Sequence, residues 1–190
     1  MNSRIVRIVL SLVVGAVGVA IGLYFGRFVS APAGLLFASS RQAIPLATGI
    51  TGWAFIGFIG GLGLAFTAVS RHRARFVVIS ILGFALGGLL AALPEAIGRA
   101  DRNSTLAVLA LPLGGALAGL LLGLGAQLRT QALLTLIAGA AAMAIGGPFI
   151  GPQSSVIPPA DWIALLLPGA IIGATVAVLA PVDGSVPPPS

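Results

Sequence analysis

The chain has 190 residues, 58% of them hydrophobic and 7% charged, with a mean hydropathy of +1.12. A soluble domain carries about a quarter charged residues, so a water-covered globule is excluded and a polytopic membrane protein is expected. The net charge of +6 comes from arginines at the ends of apolar runs, the placement of topology signals rather than of a nucleic-acid surface, and the absence of cysteine removes disulfides, thiolate metal sites and cysteine nucleophiles.

A helix needs about 20 apolar residues to cross the hydrocarbon core. On that measure the sequence predicts an all-α integral membrane protein, a single bundle of six transmembrane helices with short loops filling residues 1–180. After a polar start with Arg4 and Arg7, the first span covers 8–28 and carries Gly18, Gly22 and Gly26 at four-residue spacing. Ala31-Pro32-Ala33 imitates a leader cleavage site, which leaves open whether residues 1–33 are retained. The apolar run exceeds the roughly 7–15 residues of a leader core and Arg27 stands beside the site, so a retained span is expected. Residues 30–44 form a connector, either a plain loop or a short interfacial helix with Ser30 as cap, Pro32 as first-turn residue and Leu35, Leu36 and Phe37 on it.

The second span, 45–69, has Gly57, Gly61 and Ala65 in register and ends in the basic cluster of Arg71, Arg73 and Arg75, a topology signal facing anionic lipid headgroups. The third, 76–97, carries Gly83, Gly87 and Ala91. The fourth, 105–128, carries Gly115, Gly119 and Gly123 and closes on Arg129. The fifth, 130–150, carries Ala138, Ala142 and Gly146; the sixth, 161–180, carries Gly169, Gly173 and Ala177. Residues 181–190 hold four prolines and read as a disordered tail. The arginine bias places both termini in the cytoplasm, and a bacterial inner membrane is the expected location. Spans two and three share a glycine pattern with spans four and five: Gly61-Leu-Gly63 and Gly123-Leu-Gly125 each lead into a basic turn, which raises either a duplicated hairpin or two hairpins of similar composition.

On a helix, four-residue spacing puts small residues on one face, and in lipid such a face lets two backbones approach closely. The expected packing residues are therefore Gly18, Gly22, Gly26, Gly57, Gly61, Gly83, Gly87, Gly115, Gly119, Gly123, Gly169 and Gly173, used within the chain or with a partner. Pro45, Pro94, Pro112, Pro148 and Pro168 lie toward the outer ends of their spans, and Pro112 and Pro168 lie deep enough to kink them. Irregular backbone at that depth is tolerated beside a cavity, so an outer pocket is one reading and ordinary helix-end prolines the other. Arg41, Gln42, Thr48, Trp53, Glu95 and Asp161 are candidates for a polar site at its mouth; the alternative for them is capping and interfacial anchoring.

No charged residue or histidine stands near the middle of a span, so ion coupling, haem ligation and proton relays lack their usual groups. No metal site, cofactor, enzymatic activity or nucleic-acid partner is expected. Six spans in a chain of this length, with Ala16-xxx-Ala20 in the first helix, resemble the substrate-binding subunits of energy-coupling-factor vitamin transporters. That resemblance implies a small-residue face on the first helix that docks a transmembrane partner. Two functions follow as expectations. The first is a non-catalytic accessory or scaffolding subunit, packing on other membrane proteins or on itself through Gly/Ala faces among membrane lipids. The second is a small-solute binding or transport protein with an outward-facing pocket.

Overall fold

The computed structural model describes residues 3–69, 72–98, 105–126, 131–146 and 159–180. The elements are helices in chain order: α1 (Ser3–Leu36), α2 (Ala43–Thr67), α3 (Arg73–Ala96), α4 (Thr105–Gly125), α5 (Ala132–Gly146) and α6 (Pro159–Leu179). Arg4–Leu36, Ala43–Thr67 and Arg73–Ala96 are long and apolar enough to cross a membrane, which marks the chain as a membrane protein. Shorter apolar helical stretches are Leu109–Gly125, Ala132–Ile145 and Leu166–Leu179. The tail 181–190, Arg71, Arg129 and the loops at 99–104 and 147–158 lie outside the described residues.

The helix boundaries differ from the sequence reading most at α1. It runs through the expected connector to Leu36 with Pro32 inside it. At 34 residues it is ~51 Å long, well beyond the ~30 Å hydrocarbon core. Proline removes only its own N–H and crowds the carbonyl one turn back, here that of Phe28. The flanking Ala31, Ala33, Leu35 and Leu36 are good helix formers, and Gly34 seats the last turn on Thr48 of α2. Residues 37–42 then turn on backbone bonds from Phe37 to Gly34 and from Ser40 to Phe37, and Ser40 Oγ accepts the Ala43 N–H at the head of α2. Pro94, Pro112 and Pro168 likewise lie inside continuous helices.

The helices form a closed ring in chain order. Each packs on its predecessor and successor, and α6 returns to α1. Neighbours are antiparallel: Gly18 lies against Gly60, Gly22 against Ile56 and Gly26 against Gly52, each step four residues up one helix and four down the other. A ring helix must present small faces to two neighbours at once, and adjacent residues on a helix point about 100° apart. Glycine doublets meet that need. Gly60 faces α1 while Gly61 faces α3; Gly87 faces α4 while Gly88 faces α2; Gly114 faces α3 while Gly115 faces α5.

The ring has a basic end, where α1 and α3 begin with Arg4, Arg7, Arg73 and Arg75, and a far end, where α1 turns into α2. The core sits toward the basic end, with Leu64, Ala65, Phe76, Leu122, Val176 and Ala177 all essentially sealed. At that end His72 opens α3 from a left-handed conformation, φ 55°. Gly98, φ 65°, closes α3 at the far end by donating to Glu95 O.

Candidate functional site

The polar side chains proposed for one mouth belong to the turn before α2 and to the far-end stretches of α2, α3 and α6. Arg41 and Gln42 are exposed before α2. Thr48 spends its hydroxyl on the carbonyls of Ile44 and Pro45, and its methyl packs on Gly34. Glu95 is half-buried in the last turn of α3. Asp161 lies in the first turns of α6, with its side chain outside the described residues.

Trp53 stands apart from that set. It projects inward from α2, across α3, to α4. A methyl added at Gly88 would sit 2.7 Å from Trp53 Cβ and Cγ; one at Gly87 would sit 3.1 Å from Cζ3, and one at Gly114 3.1 Å from Cη2. Three glycines on two helices thus form the cradle of one indole, and any side chain there would occupy its place. Phe84 backs the ring on the basic side, with centroids 6.3 Å apart and planes tilted by 50°. Trp53 is half-buried and donates no hydrogen bond to a described residue.

Around Trp53 the burial pattern changes. A helix in a closed bundle has a buried face, and α2 has one from Ile56 to Ala65. From Leu46 to Phe55, nearly three turns, every residue on every face is partly exposed. The same holds in α3 from Leu89 to Glu95, where no residue is buried. In α1 beyond Gly22, only Gly26 and Gly34 are buried among the described side chains. The bundle is therefore sealed toward the basic end and partly exposed toward the far end, with Trp53 at the change.

The buried polar side chains among the described residues are Ser11, Ser80 and Thr135, one on each odd-numbered helix. Their backbone carbonyls abut Gly173, Gly57 and Gly119 respectively. One turn further along those partner helices stand Ala177, Gly61 and Gly123. The pairs α2–α3, α4–α5 and α6–α1 thus repeat one packing unit around the ring. The third pair is closed by the two chain ends instead of a turn. Ser80 donates across its seam to Gly57 O at 2.9 Å, Thr135 donates within α5 to Ala132 O at 2.8 Å, and the Ser11 hydroxyl has no partner.

Sequence reasoning missed these hydroxyls, although a signal is present. Ser11 and Thr135 each precede a glycine by four residues (Gly15 and Gly139), and Ser80 precedes Gly83 by three. It also missed the work of the arginines. Arg7 donates to the carbonyls of Ala177 at 3.1 Å and Ala180 at 2.9 Å, so it caps the C-terminus of α6 from α1. Arg73 donates to Val69 O at 3.4 Å at the end of α2, and its guanidinium lies 5.3 Å from the Phe66 ring centroid. Cations at helix C-termini are favoured by the exposed carbonyls and the macrodipole. Arg75 is exposed.

The glycine rows named from the sequence all face neighbours inside the ring. Gly18, Gly22 and Gly26 meet α2; Gly57 and Gly61 meet α3; Gly83 and Gly87 meet α4. Gly115, Gly119 and Gly123 meet α5, and Gly169 and Gly173 meet α1. Ala16 and Ala20 are buried, so the alanine pair that carried the resemblance to vitamin-transporter subunits is not on the bilayer surface. Among the described residues no group of His, Asp or Glu is placed to hold a metal ion. Compared with protein families, curated proteins and solved structures, the chain shows no match.

Proposed function

We propose that the chain is a non-catalytic bacterial inner-membrane protein of six spans, with both termini cytoplasmic, that binds or passes a small neutral or apolar solute through an outward-facing vestibule floored by Trp53. The observation that carries this reading is that α2 from 46 to 55 and α3 from 89 to 95 hold no buried residue above the Trp53–Phe84 floor. Arg4, Arg7, Arg73 and Arg75 stand at the sealed end, which the positive-inside rule assigns to the cytoplasm, so the open end faces out. An indole N–H over an apolar floor suits a flat or compact solute with one acceptor.

The alternative, an accessory subunit docking through glycine faces, has less to rest on, because those faces are occupied within the ring. A partner would meet the leucine, valine and phenylalanine side chains that face the bilayer. The chain contains two tryptophans, so in a Trp162→Phe background Trp53 reports alone. A solute panel screened by its emission is expected to yield saturable shifts that Trp53→Phe abolishes. A panel of neutral and apolar solutes that leaves the emission unchanged, together with a partner co-purifying in stoichiometric amount, would favour the subunit reading.

A further inference from the structure

Five seams of the ring are locked by backbone approach at glycine: Gly18 on Gly60, Gly49 on Gly88, Gly87 on Gly114, Gly115 on Gly139 and Gly15 on Gly169. The sixth, between α5 and α6, has no such contact among the described residues and is the least extensive. A crevice too narrow for a water molecule runs along it. Thr135 and Ala138 of α5 and Ile172, Thr175 and Val176 of α6 line it, together with Gly119 of α4. Neither threonine hydroxyl bonds across the seam: Thr135 donates to Ala132 O and Thr175 to Ile171 O, each in its own helix. By contrast Ser80 bonds across α2–α3 and Arg7 across α1–α6.

Lipid tails are as apolar as leucine, so helices in a membrane are held together by close packing and interhelical hydrogen bonds, not by exclusion from the solvent. The α5–α6 seam has the least close packing and, among the described residues, no interhelical hydrogen bond is seen across it. We propose that the ring opens at this seam, and that the opening is a lateral passage between the bilayer and the ring interior. The passage admits an apolar or neutral solute, a class that rests on the solute-binding reading above; the opening itself does not depend on it.

The native chain has no cysteine, so single thiols report cleanly. Val176, on the seam, and Ala65, in α2, are each 1% exposed, so a static ring protects them equally. In proteoliposomes, Val176→Cys is expected to react several-fold faster than Ala65→Cys with a bilayer-partitioning pyrene maleimide; equal rates would overturn the opening. Should either variant fail to insert, paired spin labels at bilayer-facing Ile137 and Val178 read the same motion against a control pair at Val17 and Phe58. A second, longer distance population for the first pair alone supports the opening, and single populations for both overturn it. Equal labelling with an intact Trp53 solute response would remove the passage and leave the vestibule. Faster labelling without any solute response would leave the opening and remove its cargo.

Discussion

The Ser80 hydroxyl donates to the Gly57 carbonyl across the α2–α3 seam, 2.9 Å apart, with Ser80 fully buried. The bond exists because Gly57 and Gly61 leave α2 without side chains at that level: a methyl at Gly61 would sit 2.5 Å from Ser80 Oγ. In a membrane such a bond contributes about 0.6 kcal/mol, up to roughly 2. Ser80→Ala is expected to destabilise the protein by that amount in reversible unfolding from mixed detergent micelles. Ser11→Ala, which removes a hydroxyl with no partner, is expected to be neutral or stabilising. Equal losses at the two sites would show that the hydrogen bond is not what separates them.

Glycine in these helices divides into positions that need it and positions that do not. A methyl at Gly115 would collide with the Gly139 carbonyl and with Met143 Cβ at 2.7 Å. Gly115→Ala must push α4 and α5 apart and is expected to cost about 1–3 kcal/mol. A methyl at Gly52 would meet Ser30 Cβ at 3.5 Å, an ordinary contact. Gly52→Ala keeps the packing and gains helix propensity, so a stabilisation of up to about 1 kcal/mol is expected in the same unfolding measurement.

Arg7 ties the two ends of the chain together. Its guanidinium serves the carbonyls of Ala177 and Ala180, which α6 cannot satisfy internally. Hydrogen bonds from a charged group are worth about 1.5–3 kcal/mol, so Arg7→Met is expected to fray the last turn of α6. Hydrogen exchange at the amides of residues 177–180 should accelerate by at least an order of magnitude, with α2 and α3 unchanged. Uniform acceleration across the ring would mean that the arginine holds the whole fold rather than one helix end.

The regularity of the glycine rows was readable before the structure because lipid rewards only close approach, so a four-residue period of small residues points to a helix–helix face. Which neighbour each face meets was not readable. Gly60 and Gly61 look like one feature in the sequence, yet they serve α1 and α3 separately. The end of α1 was misplaced because a proline that opens a helix and one that lies within it look alike in sequence; the seat of Gly34 on Thr48 decided between them. The direction of the candidate polar residues was unreadable for a related reason. Position along a helix fixes depth but not direction, so Thr48 and Trp53, five residues apart, serve α1 on one side and α3 with α4 on the other.

Trp53 offers the sharpest check on the open end of the ring. If its indole lies inside, over Gly87, Gly88 and Gly114, bilayer lipids do not reach it, whereas a small neutral molecule entering from the far end does. In the Trp162→Phe background, acrylamide is therefore expected to quench Trp53, and lipids brominated along the acyl chain are expected to quench it weakly. Gly88→Ala adds a methyl 2.7 Å from Trp53 Cγ and forces the ring to move. Acrylamide quenching should then rise, because the indole can shift only toward the unfilled side of its cradle. Strong quenching by brominated lipid in the parent protein would place the ring on the bilayer face, and the vestibule would lose its floor.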